Sequence, residues 1–600
     1  MKNNINLIKQ EQNGCYYNVE AVVPMNYGFI EDMYINFVAE GKYHTHKLKF
    51  DRCENGLVYF KSDIFLETKA IYRYFFNYKV NGHFKETRDD SFKLSVNYDT
   101  PEWAKGEMMY HIFVDRFNKG RKEDLKPMER RVIHKSWDEE MIIGPDKDGI
   151  WNNDFYGGDL KGIEDKLEYI KSLGVNILYL SPIVASQSNH RYDTSDYENV
   201  DPYAGSNEDL KSLCDKAHSM GMKIVLDAVF NHTGNDSKYF NEYNSFKELG
   251  AFQSKESPYY DFYKKYENNG KTYFDYWWGM KNLPVCNGHS KHWQNYIYGE
   301  GGVIDKWFSL GIDGLRLDVA DDLTDEFIEG IRRAVKRYKE DGFILGEVWK
   351  NPMRMNRSYI ESGKGMDSVM NYTLVDAMIL YFKHGNKEKL SYIINDILRE
   401  YPKGTIDTLM NFTSTHDISR AINIFGCNDL GGEWAWDLNN NDRQYQKNYK
   451  LTKKDYERAK ELYMAYTYAL ANMPGILSIF YGDEIGMEGL GNLANRKTFT
   501  WDKIDYELLN FFKGLGEVKS KLKFLKDADL KVLDINKDYI MFERYKGDEK
   551  VLVVVNRTGE YKTFKVPSKY NEVIHNLKNA EKGLLTPYGA VSMQKVKSWK

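Results

Sequence analysis

The sequence predicts an α/β fold, a (β/α)8 TIM barrel carrying an inserted subdomain, with a β-sandwich at either end. Two observations carry this. Between about residues 101 and 515, apolar runs of strand length alternate with helical periods, the rhythm of a parallel barrel. Outside that stretch the pattern changes to short apolar–polar alternations broken by turn residues, which is how antiparallel sandwiches read. A chain of 600 residues is also too long for one hydrophobic core.

Residues 1–100 form the first domain. Tyr34–Phe37, Leu57–Phe60 and Ala70–Tyr78 have strand character, and Glu54-Asn55-Gly56 and Asn81-Gly82 supply turns. Asp99-Thr100-Pro101-Glu102-Trp103 reads as a hinge into residues 101–515. Eight barrel strands are expected there, in the runs Met108–Phe117, Ile177–Pro182, Lys223–Phe230, Gly314–Ala320, Phe343–Trp349, Ser368–Tyr372, Thr408–Thr413 and Ile476–Tyr481. The polar, aromatic stretch from about His232 to His292 is too long for an ordinary connection and reads as a subdomain overhanging the barrel mouth. Asp429–Leu451, rich in Asn, Asp, Tyr and Trp, reads as a mobile surface loop. Residues 516–600, with the run Lys550–Val555, read as the C-terminal sandwich.

Composition narrows the function. A net charge of −4 gives no electrostatic case for nucleic acid or an anionic membrane, and no apolar run is long enough to span a bilayer. Aromatic residues make up 15%, including 46 Tyr and 12 Trp, which leans toward stacking on sugar faces. The five cysteines are odd in number, widely spaced and without a CxxC pair, so neither a disulfide framework nor a zinc site is expected. The opening MKNNINLIKQEQNG has no apolar signal core, and a cytoplasmic location is the expectation.

Four motifs end strand-like runs: DAVFNH from Asp227, GLRLDVADD from Gly314, GEVW from Gly346 and STHD from Ser414. At the C-terminal ends of parallel barrel strands, such residues converge on one pocket. Cleaving a glycosidic bond with retention needs a carboxylate nucleophile and a carboxylic acid ~5–5.5 Å away. Arg316 precedes Asp318 by two residues, hence shares its strand face and can hold it anionic, which suggests Asp318 as the nucleophile. Glu347, set between an apolar run and Trp349, has the low-dielectric surroundings of an acid/base.

This set, in this order, resembles the α-amylase family of glycoside hydrolases (glycoside hydrolase family 13). The resemblance implies a third catalytic carboxylate, Asp417, and substrate binding by His190, Tyr192, Asp227, His232, Arg316, Trp349 and His416. It makes the ring of Tyr192 a platform under the sugar; read alone, SNHRYDTSDY is equally compatible with a capped helix start. Leu283-Pro284-Val285-Cys286-Asn287 resembles a family stretch of the inserted subdomain, and Asn231 matches a residue that binds calcium in some relatives and is structural in others.

The N-terminal sandwich, which resembles a carbohydrate-binding module, the Gly149–Leu160 run GIWNNDFYGGDL and the VADD variant all look like the neopullulanase, cyclomaltodextrinase and pullulan-degrading branch. This implies hydrolysis of α-1,4 bonds, with α-1,6 bonds accepted by some members, in maltodextrins, cyclodextrins or pullulan. It also implies a homodimer through the N-terminal domain. A transglycosylase would share every catalytic residue, whereas an inactive glycan-binding relative would have lost carboxylates that this chain keeps. No cofactor is expected. Relatives bind calcium in a loop after the first strand, but here that run is Asn118-Lys119-Gly120-Arg121-Lys122-Glu123-Asp124, facing Asp159. Cations stand where oxygen ligands are needed, so no calcium is expected among Asn118, Asp124 and Asp159. A basic side chain reaching Asp159, or a basic run left in solvent, both fit that expectation.

Overall fold

The computed structural model describes residues 2–6, 15–39, 42–66, 70–87, 92–96, 100–355, 357, 359–360, 363–439 and 442–594. Its contacts fall into two units, one comprising residues 1–100, 352–367 and 395–406, the other the rest.

In the first unit an antiparallel sheet of eight strands folds around one core. The strand Lys42–Glu54 makes this possible. Its first half pairs with Ile30–Ala39 and its second with Leu57–Leu66, with a register shift between Phe50 and Arg52. Such an irregularity bends a strand. Val19, Ala21 and Ile64 on one side and Ile35, Phe37 and Phe76 on the other thereby share a core. The expected turns are present: Asn55, Gly56, Asn81 and Gly82 all have positive φ (52°, 74°, 49° and 79°), the left-handed conformation that two-residue hairpins require. Asp99 of the expected hinge lies outside the described residues.

The second unit holds the barrel. Its strands are β1 (Met108–Ile112), β2 (Ile177–Leu180), β3 (Lys223–Ala228), β4 (Gly314–Leu317), β5 (Phe343–Gly346), β6 (Ser368–Val369), β7 (Met410–Phe412) and β8 (Ile476–Phe480). All eight lie within the expected runs, and the pairings from β1 through β6, β7 with β8 and β8 with β1 are parallel. Met370 bridges Met410 in parallel, and the Asn371 N–H donates to the Met410 carbonyl at 2.9 Å, which brings the last two edges together. Apart from Lys223, every strand residue is buried, so the runs are predominantly apolar rather than alternating.

After β3, the inserted segment forms a hairpin of Lys265–Asn268 with Lys271–Phe274 and is tied back by bridges from His232 to Val285 and Tyr263 to Cys286. The segment 429–451 departs from the loop expected for it. It carries the helix Arg443–Asn448 and buries Leu430, Ala435 and Trp436, because Trp436 stacks on Trp434 and packs against Tyr372. The helix Tyr506–Lys521 runs through residue 515, and the C-terminal five-stranded antiparallel sheet begins at Asp529. Its central strand Glu549–Asn556 places Leu552 and Val554 in a core with Tyr570, Leu585 and Met593.

Candidate active site

Asp227 lies on β3, Asp318 directly follows β4 and Glu347 directly follows β5; the STHD motif follows β7. The strands thus deliver their charged residues to one end of the barrel. At the centre sits Arg316, fully buried on β4. Its Nη1 donates to Asp318 Oδ1 at 2.7 Å and to Asp227 Oδ1 at 2.9 Å, and its Nη2 lies 3.1 Å from Glu347 Oε2. One guanidinium therefore spaces three carboxylates.

Each carboxylate has further partners. Glu347 Oε2 accepts from the Val319 N–H at 2.8 Å, and its Oε1 from Trp349 Nε1 at 3.0 Å. Val319 adopts a left-handed conformation (φ 37°, ψ 52°), unusual for a β-branched residue, and it is this conformation that holds its N–H at the acid. Asp227 Oδ2 accepts from the hydroxyls of Tyr179 at 2.6 Å and Tyr192 at 2.7 Å. Asp417 Oδ2 lies 3.2 Å from His416 Nε2, and its Oδ1 lies 3.8 Å from Arg496.

Tyr192 is not in a helix. The run beginning at Thr194 is a strand paired with Val184–Ser186, which removes the capped-helix reading of SNHRYDTSDY. Its ring stacks on His416 at 5.1 Å and its N–H donates to His190 Nδ1 at 3.0 Å. The hydroxyl therefore has a task of its own, holding Asp227, beside the stacking expected of the ring.

Burial sets the charge state. It pushes the Asp318 carboxyl well up against the pull of Arg316, with repulsion from Glu347 and Asp227 adding to the rise. Burial and then Glu347 carry Asp417 to about 7. Arg316 is the group that opposes this rise at Asp318 and so favours its anion. The histidines are driven the other way. Burial and the nearby Arg496 hold His190 and His416 well below the usual range, and burial takes His232 down to about 4. They are neutral near pH 7, able both to donate to and accept from hydroxyls.

These groups open on a cleft of about 800 Å³. His190, Tyr192, His232, Asp318, Glu347, His416 and Asp417 line it. Asp227 and Arg316 are buried and hold the lining residues; Trp349, half-buried, is not among the lining residues and stacks on Tyr372 at 4.0 Å. The cleft also takes in residues to which the sequence assigned no role at the site. Arg496 touches both His416 and Asp417, donating from Nε to the His416 carbonyl at 3.1 Å. Trp277 stacks on His232 at 5.1 Å and donates to Asp322 Oδ2 at 2.8 Å, giving the VADD variant a role at the cleft wall. Arg443 lies over the ring of Trp151 at 4.2 Å on the rim. Only the tryptophans carried a signal in the sequence, as aromatics in polar loops.

The loop after β1 is closed by protein groups. Asp159 caps the helix Leu160–Asp165 and accepts from the N–H groups of Gly120, Arg121 and Gly162 at 3.0, 3.1 and 2.6 Å. The Arg121 side chain lies 3.9 Å from Asp159 and 3.3 Å from Asp209 and donates to the Pro202 carbonyl at 2.7 Å. Asn118 donates to the Gly162 carbonyl at 3.1 Å, and Asp124 is exposed beside Lys119. Three backbone N–H groups thus engage the Asp159 oxygens, with the Arg121 guanidinium nearby.

Comparison with known proteins agrees with this geometry. The family model for the α-amylase catalytic domain matches residues 111–514, and that for the α-amylase C-terminal all-β domain matches 531–597. The chain is 36% identical over 513 residues to an amylopullulanase of Thermoanaerobacter thermohydrosulfuricus, covering 77% of this chain and 33% of that protein. It spans about a third of the length of the amylopullulanases it matches. It is 30% identical over 480 residues to neopullulanase 2 of Thermoactinomyces vulgaris, covering 78% of this chain and 72% of that one. The type III pullulan hydrolase of Thermococcus kodakarensis shares the fold, with a TM-score of 0.69 over 97% of each chain at 23% identity. A catalytic-domain match that takes in all but the first few residues of β1, together with the site built at the strand ends, leads to one assignment: the chain belongs to the α-amylase family of glycoside hydrolases, in its neopullulanase and cyclomaltodextrinase branch.

Proposed function

We propose that this protein is a retaining hydrolase of α-glucans, cleaving α-1,4 bonds, and α-1,6 bonds as a second class, in maltodextrins, cyclodextrins or pullulan. The observation that carries this is the sharing of Arg316 by Asp318 and Glu347. Two carboxyls sharing one guanidinium support the close spacing of a retaining pair, ~5–5.5 Å, over the ~6.5–9.5 Å of an inverting pair. Asp318 attacks the anomeric carbon while Glu347 protonates the leaving oxygen; Glu347 then takes a proton from water, which releases the sugar from Asp318. Asp417 and the neutral His190, His232 and His416 hold the hydroxyls of the sugar at the cleavage point.

Asp318→Asn and Glu347→Gln should each lower kcat by orders of magnitude with a smaller effect on binding. Proton NMR of fresh product should show the α-anomer first; near-full activity in either variant, or β-anomer first, would sink the assignment. On pullulan, panose marks α-1,4 cleavage and maltotriose α-1,6 cleavage.

The same reading needs no calcium at the loop after β1, where Arg121 and three backbone N–H groups occupy Asp159. It includes a homodimer through the N-terminal unit, supported by the exposure there of Phe29 (76%) and Phe84 (75%). It places the protein in the cytoplasm, supported by free thiols at Cys53, Cys214, Cys286 and Cys427. Sedimentation of the purified chain and fractionation of the producing cells read these last two directly.

A further inference from the structure

We propose that a second pocket, beside the loop after β1, binds one or two glucosyl units of an α-glucan away from the catalytic cleft. The pocket encloses about 540 Å³ and shares no lining residue with the cleft. Leu125, Ile133, Trp137, Tyr156 and Trp501 supply apolar and aromatic walls, and Lys119, Asp124 and Ser136 supply polar groups.

Trp137 is the platform. Its Nε1 donates to the Phe499 carbonyl at 2.9 Å, and its own carbonyl accepts from Thr498 Oγ1 at 2.9 Å, so the half-buried ring is fixed in place. Among the described residues no ring lies flat on it; Tyr156 meets it edge-on at 6.3 Å. The neighbouring aromatics are already occupied. His134 stacks on Tyr156 at 3.9 Å, and Lys166 sits over Trp501 at 3.9 Å. Trp137 packs against the apolar cluster of Met141, Ile143 and Ala494, and a rigid aromatic side chain on which no other described ring stacks, bordered by hydroxyl-binding groups, suits the apolar face and hydroxyl edge of a pyranose.

The pocket's titratable lining side chains include Lys119, Lys135, Asp124 and His134. Asp124 lies 3.7 Å from Lys119 and offsets its charge, and His134 has Nε2 3.1 Å from Asp154 and Nδ1 3.5 Å from Glu139. Lys119 and Asp124 come from the run that departs from the calcium-binding pattern, so the change that removes metal ligands also furnishes this pocket with a donor and an acceptor.

The choice of ligand rests on the proposed activity, and the test separates the two. The full chain carrying Asp318→Asn, which does not turn over, is titrated with maltohexaose by calorimetry. Two binding sites are expected. Adding Ser136→Trp, at an exposed position, fills the pocket and should leave one, with the unfolding midpoint unchanged; adding Trp137→Ala instead should weaken the second site by about tenfold or more, the loss of a stacking face. A single site in the Asp318→Asn chain that Ser136→Trp leaves intact overturns the proposal, as do two sites that persist with Ser136→Trp. A single site that Ser136→Trp abolishes would support the pocket and count against the cleft. Inorganic phosphate should give no heat, and a phosphate signal lost with Ser136→Trp would overturn the ligand class.

Discussion

Replacing Arg316 tests the electrostatic design of the site most directly. The guanidinium makes charge-assisted hydrogen bonds to Asp318 at 2.7 Å and Asp227 at 2.9 Å and pairs with Glu347 at 3.1 Å. A hydrogen bond to a charged group is worth ~1.5–3 kcal/mol. Arg316→Met removes two, or ~3–6 kcal/mol, which at ~1.4 kcal/mol per decade is a loss of ~10²–10⁴ in kcat/KM. Arg316→Lys keeps the charge but lacks the planar fork that reaches three carboxylates at once, so it should recover about one of those bonds. The pH profile adds a signed test. Arg316 pulls the Asp318 carboxyl down against burial, so removing it lets that group rise further. The nucleophile works ionised, so the acidic limb of kcat/KM should move to higher pH in both variants, further in Arg316→Met. Initial rates on maltotriose across the pH range read both effects. Activity within about fivefold of the parent in Arg316→Met, or an acidic limb that stays put, would refute the reasoning; five-fold is ~1 kcal/mol, below one such bond.

Tyr192→Phe should lower kcat/KM on maltotriose, because Asp227 loses one of its hydroxyl donors, and Tyr192→Ala should lower it further by removing the ring stacked on His416, ~0.5–1.5 kcal/mol beyond its buried area; an unaffected Phe variant would leave the ring as the sole contributor. Asp159→Ala orphans three backbone N–H groups and a helix cap and should cost ~1–3 kcal/mol, seen as a lower Tm, whereas EDTA should leave the parent's Tm unchanged. A Tm that falls with EDTA and is restored by calcium would contradict the proposal that this loop needs no calcium.

The barrel was legible because both faces of its strands are buried, leaving predominantly apolar runs that stop at charged residues. Even β6, only two residues long, lay within one of these runs. The carboxylates were legible for the same reason, since a charge at the end of such a run must have a purpose. Other parts gave no signal. Tyr179 sits inside the β2 run Ile177–Leu180, where a tyrosine reads as core, and only its 2.6 Å bond to Asp227 reveals the role. Arg496 comes from the segment after β8 with no strand before it, and its place beside His416 depends on the whole ring closing. The 429–451 segment misled because its polar residues outnumber its tryptophans, while it is the Trp434–Trp436 pair, stacked at 5.4 Å, that decides its packing.

Val319 places two selective pressures on a single residue. A β-branched side chain in the left-handed region carries ~1–3 kcal/mol of strain, which glycine at that position would largely relieve. Yet the same twist aims the backbone N–H at Glu347, and a glycine free to leave that twist would let the acid wander. Lineages drifting toward greater thermal robustness would gain by relaxing this corner, and lineages under pressure for turnover would lose by it. The corner between β4 and Asp321 is thus a place where durability and speed are exchanged against each other, with the barrel around it left unaltered.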